Sequence, residues 1–229
     1  TAETVKRAYY YGDHAQDPRW LLRRAIETAN QEVLTYTSAM VGVRGAASTV
    51  TAAVVKGNQL VVANVGDSRT YVIRANGQRE QISIDHSLTQ QKINQRLLDP
   101  SQAKSDIDSH IITRSVGLEA GVEVDIFPPS TVQPPYIPLA AGDAVLLCSD
   151  GLTDLVTDEE IAHIVTANSP KKAVEQLIKL AKRNGGHDNI SVIVGRVPGK
   201  AATALAGHPR TFSTMLTNPK LWLALVPLF

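Results

Sequence analysis

Apolar residues recur at three- and four-residue spacing from Pro18 onward: Leu22, Ala25, Ile26, Ala29, Val33 and Tyr36 share one face, while Arg23, Arg24, Glu27 and Gln31 fill the other. That period predicts an amphipathic helix over 18–38, and Pro18 suits its first turn. The pattern then changes. Residues 48–55 and 59–65 are rich in Val, Thr and Ala and are split by Lys56-Gly57-Asn58, a hairpin signal. Strands at 70–74 and 80–84 follow around Ala75-Asn76-Gly77, and the four together predict an antiparallel meander. These runs are apolar on both faces, so the sheet is expected to be covered on both sides.

Residues 87–110 are polar and aperiodic, with a short helix expected over 90–98. Strands are expected at 111–113 and 122–127, then a stiff stretch with Pro128, Pro129, Pro134, Pro135 and Pro138, then a buried strand at 144–148. Thr157 and Glu160 are spaced as a capping box for a helix over 158–166. Ser169-Pro170 opens another helix, which Gly185-Gly186 ends, and 190–197 reads as the last strand. Strands in runs, with helices gathered in a few places, indicate an α+β layered domain over 1–197. Residues 198–220 read as a linker and 221–229 as an apolar tail.

Composition narrows the picture only a little. The 229 residues carry 23 Lys and Arg against 22 Asp and Glu, a formal charge of +1, and nothing in that balance points to a nucleic-acid partner. A lone cysteine, Cys148, excludes an intramolecular disulfide and fits a reducing cytoplasm. The apolar tail is too short to cross a bilayer, which takes about 20 residues. It could be the first turns of a span continuing beyond residue 229, a membrane anchor, or a segment that packs on its own domain. Arg196, Lys200, Arg210 and Lys220 precede it with no acidic residue after Asp188. That asymmetry would suit the cytoplasmic face of a membrane.

Three short segments set an acidic residue beside glycine at the end of an apolar strand: Gly66-Asp67-Ser68-Arg69, Ser149-Asp150-Gly151-Leu152-Thr153-Asp154, and Gly186-His187-Asp188-Asn189. A carboxylate at such a position is costly to bury unless something neutralises it. Several of them at strand ends of one sheet can converge on a hard cation, Mg²⁺ or Mn²⁺, and no Cys/His cluster offers zinc an alternative. Two such cations about 4 Å apart can activate a water and clamp a phosphoryl oxygen. Asp-Gly and Gly-Asp pairs are also ordinary turn residues, so these segments do not by themselves name a reaction.

The series of motifs resembles the bacterial type-2C, or PPM-family, metal-dependent protein serine/threonine phosphatases. Ala47-Ser48-Thr49-Val50-Thr51-Ala52 is similar to the family's Gly-Thr-Thr strand, and Val62 to Tyr71 to its Gly-Asp-Ser-Arg motif. Asp85-His86-Ser87-Leu88 resembles its Asp-His motif and Ile112-Thr113-Arg114-Ser115-Val116-Gly117 its Thr-Arg motif; the Asp150 and Asp188 segments match the last two. The resemblance implies a two-layer antiparallel β-sandwich flanked by helices. It implies hydrolysis of phosphoserine and phosphothreonine in proteins by a metal-activated water, without a phosphoenzyme. Asp150 and Asp188 carry over as ligands of a two-metal Mn²⁺ or Mg²⁺ centre, and Asp67 and Asp154 as ligands of a possible third site. No catalytic step is assigned to His86, Arg69 or Arg114: His86 is expected to be a structural hydrogen-bond partner, Arg69 to pair with a carboxylate, and His187 to be a surface turn residue. Substrates of a serine/threonine kinase are the implied partners.

One departure matters. The family's Asp-Gly-Met-Gly-Gly-like motif, whose aspartate bridges the two metals, has no match here; Gly12-Asp13-His14 is the only loosely similar triplet. The chain is therefore expected to be N-terminally truncated, its first strands missing, with weakened metal binding and unpaired sheet edges. Two other readings stay open: a non-catalytic phosphatase-like regulatory module, and a hydrolase of small phosphoesters. The cations Lys92, Arg96 and Lys104 in the polar stretch are expected to face an open surface.

Overall fold

A computed structural model describes residues 1–12, 16–39 and 45–199, together with the backbone of 221–227. Two helices come first, α1 (Ala2–Tyr10) and α2 (Pro18–Ala39). The first sheet has the order β5 (Asp125–Phe127), β2 (Gln59–Val65), β1 (Val50–Lys56), β9 (Leu221–Pro227), with the short β6 (Ile137–Pro138) also on β2. The second has the order β4 (Arg79–Gln81), β3 (Arg69–Ile73), β7 (Ala144–Cys148), β8 (Val192–Arg196). Three further helices are α4 (Asp150–Thr153), α5 (Asp158–Ala167) and α6 (Pro170–Arg183); the polar stretch between the β-rich blocks holds α3 (Leu88–Asn94) and a 3-10 turn, Pro100–Ser105.

Side-chain alternation stacks these elements into four layers. On β1, Val50, Ala52 and Val54 pack with Leu22 and Ile26 of α2, while Ala53 faces Leu147 of β7 between the sheets. On β7, Val145 and Leu147 face the first sheet, whereas Leu146 and Cys148 pack with Ile161 of α5 and Leu177 of α6. Apart from the exposed edge strand β4, both sheets are thus covered on two faces, which is why β1, β2, β3 and β7 are mostly apolar. A fully buried Leu such as Leu146 (0% exposed) contributes about 1.5–3 kcal/mol. Two hydroxyl pairs tie the sheets together, Thr51 Oγ1 to Thr70 Oγ1 at 2.8 Å and Thr49 Oγ1 to Ser68 Oγ at 2.9 Å.

The β1–β2 hairpin closes at the Lys56–Gln59 pair, with Gly57 at φ +64° as the first turn residue, a conformation glycine adopts freely. Thr157 and Glu160 form the expected capping box of α5. The single meander does not form. β1 and β2 belong to one sheet, β3 and β4 to the other, and the chain changes sheets at Gly66–Ser68. Gly66 makes the corner possible: its φ is +106°, and a Cβ there would sit 2.3 Å from Thr49 Cγ2. Residues 111–113 make only an isolated bridge, Ser87 to Ile112. The apolar segment Leu221–Pro227 pairs antiparallel with the whole of β1, so the β1 edge that was expected to stand open is covered. No helix among the described residues is long and apolar enough to cross a membrane. Most of the stretch read as a linker lies outside the described residues, as do Asp13 and His14 of the loosely similar triplet.

Candidate metal centre

The corner between the sheets places Asp67 at the mouth of the sandwich. The side chain is buried (8% exposed), and its Oδ1 has no hydrogen-bond partner. Burial, then the facing carboxylate of Asp150, then those of Asp85 and Asp154, push its pKa up to about 7. Asp150 opens α4 directly after β7, and Asp154 follows the last residue of that helix. Burial raises Asp150 as well, with Asp188 and Asp154 adding to the rise, against the N–H of Gly151, which donates to Asp150 Oδ1 at 2.8 Å. Asp188 sits in the exposed loop before β8, held by the N–H of Asn189 at 2.6 Å.

The Asp150 and Asp188 loops are fastened to each other. Ser149 Oγ donates to the Asn189 carbonyl at 2.9 Å and accepts from the Ser191 N–H at 3.0 Å. Gly151 lets them touch, since a Cβ there would meet the Asn189 carbonyl at 2.5 Å. The fold therefore brings Asp67 within electrostatic reach of Asp150 and Asp154, and Asp150 within reach of Asp154 and Asp188. Among the described residues, however, no three carboxylates, histidines or cysteines stand close enough to enclose a cation as they lie. A buried carboxylate oxygen without a partner, near enough to further carboxylates to feel their charge, is a donor set that fits a hard cation.

The other sequence-singled residues go elsewhere. Arg69 forks onto Asp85 at 2.6–3.0 Å, as expected, which removes Asp85 from the unpaired set. Arg114 donates to Asp125 at 2.7 Å and to Glu123 at 3.0 Å. His86 is buried between Gly66 and Asp125. Burial and Arg114 lower its pKa against the pull of Asp125 and Asp85. His187 is exposed. Two cations of the polar stretch have partners: half-buried Lys92 pairs with Asp106 and Asp108, and Lys104, which is exposed as expected, donates through Nζ to the Thr153 carbonyl at 2.8 Å. Sequence reasoning missed Asp125 and Ser149, whose roles depend on neighbours far away in the chain. A cleft of about 610 Å³ between the start of α2 and β5 contains none of the four aspartates.

Residues 12–190 match the family model described as Protein phosphatase 2C. The chain belongs to that family. This protein phosphatase 2C chain is 33% identical over 181 residues to the "Serine/threonine phosphatase stp" of Listeria welshimeri, covering 79% of itself and 68% of that relative. It superposes on the crystal structure of the Mycobacterium tuberculosis serine/threonine phosphatase PstP/Ppp with a TM-score of 0.76 and 28% identity, over 86% of itself and 81% of that chain. A second PstP structure, the catalytic domain in complex with two manganese ions, aligns at TM-score 0.70 and 29% identity, over 86% and 80%. The expected phosphatase sandwich, two antiparallel sheets flanked by helices, is the fold these neighbours share.

Proposed function

We propose that this chain carries the metal-dependent hydrolysis of phosphoserine and phosphothreonine in proteins. In this reading Asp150 and Asp188 hold Mn²⁺ or Mg²⁺ at a two-metal centre, and Asp67 and Asp154 serve a third site. The observation that carries it is the buried, unpartnered Oδ1 of Asp67 facing Asp150. The cations, when bound, supply water activation and charge neutralisation at the phosphoryl oxygens. The chain's own part is positioning: the Gly151 and Asn189 N–H groups orient one carboxylate each, and the Ser149 bridge fixes the distance between their loops. Arg69 and Arg114 are committed to carboxylates and are not free to take a phosphate.

Proteins phosphorylated by a serine/threonine kinase are the proposed substrates, in the cytoplasm or at the cytoplasmic face of a membrane. The pairing of β9 with β1 supports the reading in which the apolar tail belongs to the domain rather than beginning a span. One observation favours a non-catalytic regulatory module instead, namely that no three potential ligands among the described residues already enclose a cation. Mn²⁺-dependent phosphate release from a phosphothreonine peptide separates the two. Release that is abolished in Asp150→Asn is the expected result; no release at any Mn²⁺ concentration would favour the module. Faster turnover of a nucleotide than of the peptide would point to small phosphoesters.

A further inference from the structure

The corner that carries Asp67 is gripped from one side by a single ring. The Gly66 N–H donates to His86 Nδ1 at 3.0 Å, and the His86 N–H returns a bond to the Gly66 carbonyl at 3.0 Å. The same carbonyl accepts from Asn64 Nδ2 at 3.0 Å. On the opposite side Thr49 lies where a Gly66 Cβ would be, so the peptide has no room to shift toward β1. Because Nδ1 accepts from a backbone N–H, the ring proton resides on Nε2. It is directed at Asp125 Oδ2, 3.1 Å away, while Arg114 Nη1 donates to the other oxygen, Oδ1, at 2.7 Å. Arg114 Nη1 also stands 3.0 Å from Nε2; both are donors, and the two oxygens of Asp125 accommodate them side by side. The result is a continuous path from β5 through Asp125 and a buried imidazole (7% exposed) to the peptide immediately before Asp67.

We propose that His86, braced by Asp125, is a positioning residue for the metal centre: its Nδ1 holds the Gly66 peptide so that the Asp67 carboxylate is presented to a cation. The inference rests on the metal-binding reading given above. It follows from the state of Asp67 itself. With no partner on Oδ1, that carboxylate takes its direction from its backbone, and the backbone takes its direction from His86. Groups behind a ligand of this kind commonly contribute 10–100-fold in metal affinity.

Two substitutions divide the ring's functions. In His86→Asn the Oδ1 can occupy the place of Nδ1 and accept from Gly66, but the link to Asp125 is lost. In His86→Gln the amide reaches toward Asp125, and the acceptor for Gly66 is lost. Titration of the full chain with Mn²⁺ alone, by calorimetry, should show affinity reduced about tenfold or more in His86→Gln and within about threefold of the unaltered chain in His86→Asn. The Mn²⁺ concentration for half-maximal phosphate release should move by the same factor, with KM for the phosphopeptide unchanged. A purely structural role would lower both variants' melting temperatures together without separating their Mn²⁺ affinities, and that outcome overturns the inference. So does equal affinity in His86→Gln and the unaltered chain. If His86→Gln fails to fold, Asp125→Ala frees Arg114 Nη1 to donate to Nε2, which moves the ring proton onto Nδ1 against the Gly66 N–H, a switch not open to the asparagine oxygen of His86→Asn, and should weaken Mn²⁺ binding at least threefold; unchanged affinity there is equally fatal. Absence of Mn²⁺ binding by the unaltered chain would instead overturn the metal-binding reading, and the inference with it.

Discussion

The two ends of β7 present the same residue type in opposite circumstances. Asp143 stands just before the strand and Asp150 just after Ser149 at its other end. Burial alone would raise Asp143, yet the N–H of Ala140, the Arg74 guanidinium and the N–H of Ala75 outweigh it and hold the carboxyl below its ordinary range. Those contacts are 2.8–3.0 Å long and leave no oxygen unmatched. At the Asp150 end burial, together with the carboxylates of Asp188 and Asp154, outweighs the Gly151 N–H and His110, and Asp150 and Asp67 are both raised. One end of the strand is balanced by the protein itself; in the proposed function a cation balances the other. Acidic residues at strand ends become informative only when their cations are counted as well.

Removing the balance at the first end should have the largest effect. Asp143→Ala takes the buried carboxylate away from Arg74 and two N–H groups and should destabilise the chain by about 3 kcal/mol in urea unfolding. Filling the other end should come next. Mn²⁺ at a hundredfold excess over its Kd should stabilise the unaltered chain by about 2.7 kcal/mol. That gain should vanish in Asp150→Asn and shrink below about pH 7, where a proton on Asp67 competes with the cation; thermal melts with and without EDTA read both.

Asp67→Asn should then act in the unusual direction. The folded chain holds the Asp67 proton more tightly than the unfolded chain does, because its pKa is about 7 against an ordinary 3.8. The Asp67 contribution to metal-free stability is therefore greatest below about pH 4, falls as pH rises toward 7 and is flat above. The asparagine should abolish that slope and stabilise the metal-free protein by about 2 kcal/mol at pH 8, the replaced amide still lacking a partner. Melting curves of both chains between pH 4 and 8 in EDTA test this, and a slope unchanged by the substitution would contradict it. The smallest effect should be Ser149→Ala, which loses the bridge between the Asp150 and Asp188 loops and should cost about 1 kcal/mol in the same unfolding assay.

Local signals were the legible part of the sequence. The Thr157–Glu160 box, Gly57 and the 3.6-residue period of α2 each specify structure through contacts within a few positions, and each is found where the pattern put it. The three strand-end segments stand out by a short-range pattern, acid beside glycine after an apolar run, and the first of them is the corner at Gly66. The change of sheet at that corner was not legible: β2 and β3 are adjacent in sequence, equally apolar and separated by three residues, and the contacts that hold the corner, with Thr49 and His86, come from elsewhere in the chain. Residues 111–113 have a strand's composition but receive only one bridge. Asp125 meets His86 across 39 positions, a distance over which no spacing rule operates.

The pairing of β9 with β1 also sets the order of events on the ribosome. β1 and β2 are complete once residue 65 has been made, but the partner of β1's other edge ends at residue 227. At synthesis rates of about 5–20 residues per second, that edge waits roughly 10–30 s for its neighbour. During that interval a seven-residue apolar strand lacks its second partner, and the nascent domain is most open to capture by a chaperone or by another nascent copy.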